Sequence, residues 1–214
     1  MAPPDYHLSM ATTITDAEAL RACYPAPAER SVRKTLPALD EHMRAFIALS
    51  PFLCLGTSGA SGGDVTPRGD APGWVHVLDD GTILIPDWPG NNRLDSLSNV
   101  IEKPNVALLL FVPGVHETLR VNGAAEISVA PELIGRWTVN GRHPRSVLKV
   151  TVTEAYLHCA KALLRSKLWE DDYKVDRDAL PSYAQMLKDQ VPSIQETAGE
   201  LEQVIARSYA TTLY

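Results

Sequence analysis

Short apolar or alternating segments fill the middle of the chain, and this pattern predicts β-strands. They cover residues 52–57, 73–78, 82–85, 106–112, 118–128 and 145–157, and glycine, proline or aspartate turns bound most of them. The connections between them are of hairpin length, with few crossover helices. This arrangement favours a mainly β (α+β) fold with six or seven antiparallel strands over a parallel α/β sheet.

Apolar residues at three- and four-residue spacing predict helices before and after these strands. Thr15 to Cys23 has the composition of a capped helix, residues 36–49 carry an apolar face, and one or two amphipathic helices follow Pro181. We therefore expect one domain over residues 1–214. It has an N-terminal helical arm of about residues 1–50 and a C-terminal helical tail of about residues 159–214.

The stretch GTILIPDWPGNNRLDSLSN, residues 81–99, combines a strand, a tight turn and the start of a helix. Strand pairing is expected to end near Pro86, because a proline has no backbone N–H to donate. Asn91 or Asn92 is expected to cap the helix that follows.

Arg93 is unusual in this stretch, because the first turn of a helix carries the positive end of the helix dipole and favours acidic residues. An arginine there, together with free backbone N–H groups, predicts a phosphate site. The alternative is a surface arginine that points into solvent or pairs with Asp87 or Asp95.

Two further sets of cations are candidates for ligand binding. Arg68 lies at a predicted proline-glycine bend, where a rigid sheet presents functional side chains, or it pairs with Asp70. If the segment after the last strand is helical, Lys161, Arg165 and Trp169 share one face and suit an anionic, aromatic ligand. The alternative is an ordinary helix with solvated cations and a core tryptophan.

Composition and charge exclude several classes of function. The chain has 45% hydrophobic residues, 21% charged residues and a net charge of −6, which argues against nucleic-acid or anionic-membrane partners. No apolar run is long enough to span a membrane and no signal peptide is evident, so we expect a cytoplasmic protein. Three separated cysteines and the absence of HExxH or GxSxG patterns give no support to disulfide, metal or hydrolase chemistry.

Between residues 136 and 167, seven basic residues accompany a single acid, and this excess favours a small anionic ligand. A solvated basic face, balanced by acids elsewhere in the chain, is the alternative.

Five motifs in order, SPFLCLGTSG, VTPRGDAPGWVHVLDDGTILIPDWPGNNRLDSLSN, PNVALLLFVPG, ETLRVNGAAEI and HCAKALLRSKLW, resemble the pyridoxamine 5′-phosphate oxidase-like family of FMN-binding split barrels. The similarity spans about residues 36–169 and is closest to the subgroup with PRGD, IPDxPGNxRLDSLxN and LRVNG motifs. It implies a six-stranded antiparallel split β-barrel with flanking helices. It also implies a homodimer with FMN bound between the subunits and a small-molecule substrate.

The resemblance also implies cofactor contacts for eleven residues. The polar turn that holds the flavin phosphate corresponds to Asn91, Asn92 and Arg93. The strand end along the isoalloxazine edge corresponds to Ile85, Pro86 and Asp87. A basic residue on the preceding strand corresponds to Arg68, and the C-terminal motif of the subgroup corresponds to Lys161, Arg165, Ser166 and Trp169.

Two departures from the family pattern bear on the reaction. The namesake oxidases have Ser-Arg-Lys in place of Asn91, Asn92 and Arg93, and their basic C-terminal segment is not found in residues 195–214. We therefore expect an FMN-dependent oxidoreductase with a different small substrate. The alternative is a non-catalytic flavin, deazaflavin or haem binding protein, for which His116 or His158 would be the axial ligand of a haem.

Overall fold

The computed structural model describes residues 13–214, so the first part of the predicted N-terminal arm lies outside the described residues. The chain divides into two compact units, one ending at Thr35 and the other beginning at Leu36. The described part of the first unit contains helices α1 (Ala17–Ala22) and α2 (Glu29–Arg33). Asp16 caps α1 by accepting a hydrogen bond from the Ala19 N–H, at the helix start that the sequence predicts.

The second unit is built on one antiparallel sheet of seven strands, in the order β2-β1-β5-β6-β7-β4-β3. This confirms the predicted mainly β, antiparallel fold with flanking helices, and the strand count is seven where the resemblance implies six. The strands are β1 (Phe52–Gly59), β2 (Gly62–Gly69), β3 (His76–Asp79), β4 (Thr82–Asp87), β5 (Asn105–Phe111), β6 (Thr118–Ser128) and β7 (Ser146–His158).

The sheet curls around one hydrophobic core. Strands β1 and β4 lie next to its opposite edges, yet Leu53 and Ile83 are buried in the same cluster of side chains. Leu110, Leu119 and Val150 of the central strands are also fully buried there. Alternate residues of β1, β5 and most of β6 therefore point inward, whereas four consecutive residues of β4 are buried.

Helices cover parts of this sheet. The first of them begins at Glu41, later than predicted, because Leu36 instead forms backbone hydrogen bonds of 3.0 and 2.8 Å with Ala155 of β7. Its buried face consists of Met43 and Ile47, four residues apart. The helices of this unit are α3 (Glu41–Leu49), α4 (Asp95–Glu102), α5 (Pro131–Ile134), α6 (Lys161–Ser166), α7 (Tyr183–Gln190) and α8 (Ala198–Thr212). Among residues 13–214, none of the helices has the length and apolar content that a membrane crossing needs.

Candidate functional site

Strand β4 leads directly into the turn that the sequence analysis singles out. Its pairing with β7 continues to Asp87 opposite Ser146, one residue beyond the proline at which it was expected to stop. The ladder passes Pro86 because β3 reaches only as far as Leu84, which leaves the proline with a strand on one side alone. The polar turn therefore starts from the end of a well-paired strand.

The turn after β4 is held in an unusual backbone conformation. The Asn91 side chain accepts a hydrogen bond of 3.0 Å from the Arg93 N–H, and Asn92 and Leu94 have left-handed φ angles of 57° and 61°. The prediction that an asparagine caps α4 is wrong, because Leu94 precedes the helix and no side chain caps it. Left-handed residues other than glycine are costly and concentrate at ligand sites, and here two of them flank Arg93.

Arg93 lies beside the N-terminus of α4 and forms an ion pair there. Its Nε donates to Asp95 Oδ2 at 2.7 Å, and both side chains are exposed. This hydrogen bond raises the pKa of Arg93 above its usual value. The pairing with Asp95 is one of the alternatives considered for this arginine. It engages only one of the five N–H groups of the guanidinium.

A cavity of about 380 Å³ lies beside this turn, between β2, the end of β4 and the first residues of α4. It is strongly polar. Its charged lining residues are Arg68, Arg93, Arg145, Asp64, Asp87 and Asp95. The formal charges of these three arginines and three aspartates cancel. We call this cavity the turn pocket.

Each carboxylate of the turn pocket already has a partner. Arg68 donates to Asp87 at 2.5 Å, and Asp95 pairs with Arg93 as described above. Asp64 of β2 accepts a hydrogen bond of 3.0 Å from the buried Ser96 hydroxyl of α4. These bonds tie the edge strand β2 to β4 and to α4, which fixes the walls of the pocket.

Two buried N–H groups of residues that line the turn pocket have no hydrogen-bond partner within residues 13–214. They are Arg68 Nε and Trp88 Nε1, and both residues line the cavity. The side chains of the Arg68–Asp87 pair are 23% and 15% exposed, so the pair is largely shielded from water. An unsatisfied buried donor costs about 1–3 kcal/mol. An acceptor atom of a ligand or a water molecule at either position would remove that cost.

The placement of Arg68 differs from the sequence interpretation. It lies within β2, opposite Leu53 of β1, and not at a bend between strands. Its acidic partner is Asp87, nineteen residues later, and not Asp70. The edge-strand position nevertheless directs the arginine to the turn pocket.

The structure brings together five of the eleven predicted cofactor residues. Those that line the turn pocket are Arg68, Asp87, Asn91, Asn92 and Arg93. Ile85 and Pro86 are buried behind it, with Ile85 in the main core. None of the described lining residues belongs to the C-terminal motif, whose members are Lys161, Arg165, Ser166 and Trp169.

The C-terminal motif does not form one helical face. Helix α6 ends at Ser166, and Lys167 adopts a left-handed φ of 49°, so Trp169 lies beyond the helix. Trp169 Nε1 instead donates to the Val115 carbonyl at 2.8 Å. The predicted alignment of Trp169 with Lys161 and Arg165 is therefore wrong, although both cations are exposed on α6.

Several residues of the turn pocket were missing from the predicted set. Arg145 was noted only as part of a basic segment, and its N–H bonds to the Asp87 carbonyl at 2.9 Å, which places it beside the end of β4. Trp88 follows Asp87 directly and lines the pocket, but it is not among the residues for which a cofactor contact was expected. Asp64 and Ser96 carry no signal in the sequence, because they meet only when β2 and α4 pack.

Comparison with known proteins gives one family. Residues 39–159, more than half of the chain, match the family model of pyridoxamine 5′-phosphate oxidase. No curated protein matches the chain.

Solved structures match with low sequence identity. HupZ from Group A Streptococcus is 14% identical, with 56% of this chain and 93% of that chain covered and a TM-score of 0.46. An FMN-binding protein from Syntrophomonas wolfei is 14% identical, with 53% and 82% covered and a TM-score of 0.42.

Proposed function

Because the chain belongs to the pyridoxamine 5′-phosphate oxidase family, we propose that it binds FMN in the turn pocket and acts as an FMN-dependent oxidoreductase on a small substrate. The observation that carries the proposal is the pair of buried, unpartnered donors, Arg68 Nε and Trp88 Nε1. FMN offers ring acceptors for such donors and a phosphate for the adjacent cation. The cavity of about 380 Å³ falls within the usual size of ligand pockets.

The phosphate is assigned to the start of α4. The first N–H groups of a helix have no partner within the helix, and the dipole adds positive potential there. Asp95, Ser96 and Leu97 bring these groups to the pocket lining, beside the Arg93 guanidinium. A backbone turn fixed by Asn91 holds this arginine close to the helix end, so the site is formed before a ligand arrives.

The flavin ring is assigned to the wall made by Arg68, Asp87 and Trp88. The ion pair with Asp87 fixes the Arg68 guanidinium through one nitrogen, and its Nε remains as a donor. Bound FMN supplies hydride and electron transfer, so the protein needs to provide orientation and electrostatics.

A flavin carrier without turnover is the second candidate function. It is favoured by one observation: Asp64, Asp87 and Asp95 are all engaged in hydrogen bonds, so no carboxylate of the turn pocket is positioned as an uncommitted general base. An oxidoreductase in which the cofactor carries the reaction also needs no such general base. Turnover therefore has to be tested directly.

We further propose a homodimer. The outward faces of β1, β2 and β5 are apolar and include Phe52, Val65 and Phe111, which is typical of a surface covered by another protein chain. Helix α6 lies at the same face, since Leu163 and Phe111 line one cavity of about 420 Å³. In a pair of copies joined there, the cations of α6 would serve the partner's pocket, which explains why they lie apart from the pocket of their own chain.

The decisive experiment is a titration of the apo protein with FMN, FAD, deazaflavin and haem, followed by absorbance and flavin fluorescence. Preference for FMN supports the phosphate assignment. Reduction of the bound flavin by NADH or NADPH under anaerobic conditions then separates the oxidoreductase from the carrier. A protein that binds none of the four ligands would refute the proposal.

A further inference from the structure

Helix α8 has little packing of its own. None of its residues is buried, and its main contacts are with α7. A capping box formed by Thr197 and Glu200 fixes its first turn. Because most of the stability of a protein helix comes from packing, a helix of this kind depends on how its two ends are attached. The attachment at the far end is Tyr214, two residues beyond Thr212.

Tyr214 contacts three separate parts of the sheet unit. Its hydroxyl donates to Asp70 Oδ1 at 2.6 Å, and Arg142 Nη1 donates to its main-chain oxygen at 2.5 Å. Its ring meets the Trp88 ring edge-on, with 5.2 Å between the ring centroids, which is a favourable arrangement for an aromatic pair. One residue therefore joins the loop after β2, the end of β4 and the segment before β7.

The groups that hold Tyr214 are themselves fixed by the backbone. The Asp70 N–H donates to the Pro51 carbonyl at 3.0 Å, and Val139 and Arg142 exchange backbone hydrogen bonds of 3.0 and 2.9 Å. The hydrogen bond to Asp70 also raises the pKa of the Tyr214 hydroxyl above its usual value, so the hydroxyl remains a donor at neutral pH. Attachment points that are already ordered lower the entropy cost of holding the end of α8.

Trp88 links this attachment to the turn pocket. Its side chain packs against the small cluster of Leu84, Trp137 and Val147, and Trp88 lines the pocket. Tyr214 is not among the described residues of that lining, so its ring acts on the pocket through Trp88. The indole Nε1 is buried without a partner in the described part of the chain. An indole that loses a neighbouring ring gains room to turn this donor toward water, and the contact with Tyr214 opposes that turn.

We propose that Tyr214 is a positioning residue, which holds the Trp88 indole in the wall of the turn pocket and attaches helix α8 to that wall. Displacement of the end of α8 then loosens the proposed flavin site. The effect on FMN rests on the proposed function, whereas the attachment itself rests on the contacts of Tyr214 with Asp70, Trp88 and Arg142.

The test follows the indole N–H signal of Trp88 by ¹⁵N–¹H NMR of the full chain without flavin. The chain has four tryptophans, and the signal that is lost in Trp88→Phe belongs to Trp88. Tyr214→Ala should shift this signal and speed the exchange of its proton with water, because the indole loses its neighbour. Tyr214→Phe keeps the ring and should leave the signal close to its wild-type position. The matched control is Tyr209→Ala, which removes an exposed tyrosine of α8 and should behave as the wild type.

Titration of the same variants with FMN gives the second measurement. Tyr214→Ala should raise the Kd for FMN about three- to tenfold, the usual effect of a lost aromatic pair, and Tyr214→Phe should raise it less than about twofold. The proposal would be overturned by an unchanged Trp88 signal in Tyr214→Ala, or by equal effects of Tyr209→Ala or Tyr214→Phe. In a wild type that binds FMN, unchanged or tighter binding by Tyr214→Ala would also overturn it. If the wild type does not bind FMN, the proposed function fails, and the NMR comparison still tests the attachment.

Discussion

Replacement of Arg68 by lysine should weaken FMN binding while leaving the fold intact. Lysine keeps the positive charge and can still pair with Asp87, but it has no N–H at the position of Arg68 Nε. That N–H is buried and has no partner among residues 13–214, and Arg68 itself lines the turn pocket. The substitution therefore removes the proposed ligand contact and retains the structural ion pair.

Two substitutions of Arg68 test different contributions, one to FMN affinity and one to stability. A hydrogen bond from a charged donor contributes about 1.5–3 kcal/mol, so Arg68→Lys should raise the Kd for FMN by about 10- to 150-fold. Arg68→Gln also leaves the Asp87 carboxylate without its cation. Since these side chains are 23% and 15% exposed, we expect a loss of about 2 kcal/mol in unfolding free energy, below the range for a fully buried pair.

Flavin fluorescence quenching measures the FMN affinity, and thermal unfolding of the apo protein measures stability. Arg44→Lys is the matched control, because Arg44 pairs with Asp80 on an exposed surface that does not line the turn pocket. It should change FMN affinity by less than about twofold, as expected for a substitution outside the binding site. Equal FMN affinity in wild type and Arg68→Lys would refute the assignment of Arg68 Nε to the flavin.

Three further predictions follow from other parts of the structure. Arg93→Ala should weaken FMN binding about ten- to hundredfold, and an unchanged affinity would remove the phosphate assignment. Gly123→Ala should lower the unfolding free energy by about 3 kcal/mol or more, measured by thermal unfolding, because a Cβ there would lie 2.2 Å from the Thr151 carbonyl oxygen. The control is Gly199→Ala, where a Cβ would meet no atom within 4 Å, and it should not destabilise the protein. Burial lowers the pKa of His76 below 6.5, so the unfolded state binds its proton more readily and stability should fall as pH drops below about 6.5. His76→Phe should reduce that fall, measured as the difference in unfolding free energy between about pH 7.5 and pH 5.5; an equal fall in both proteins would contradict the reasoning.

The central strands could be predicted closely from the sequence. The predicted segment 118–128 coincides with β6. Its side chains alternate between the core and the outer face of the sheet, and the sequence shows this directly as an alternation of residue types. The small residue at position 123 allows another backbone to come close, since a Cβ at Gly123 would lie 2.2 Å from the Thr151 carbonyl oxygen of β7. Strand β2 was not among the predicted strands, because its glycines and Pro67 give little apolar pattern and its pairing with β1 defines it.

Ends of helices were harder to predict than strands. The sequence around α4 contains two asparagines suited to capping, but Asn91 bonds to the Arg93 N–H and Leu94 occupies the position before the helix. Likewise, Lys167 ends α6 in a left-handed conformation that its side chain does not predict. Local composition indicates that a helix starts or stops nearby, whereas the exact cap depends on backbone geometry that side-chain type constrains weakly.

The turn pocket shows why part of the site escapes sequence reasoning. Arg93 was found because its charge conflicts with its local position at a helix start. Arg68 and Asp87 become a pair only through the curl of the sheet, which brings the edge strand β2 to the end of β4. The pairing balances the two charges, and it leaves one buried N–H, Arg68 Nε, without an acceptor in the described part of the chain. A site whose internal charges already cancel does not attract anions indiscriminately, so its selectivity must come from the positions of such remaining donors.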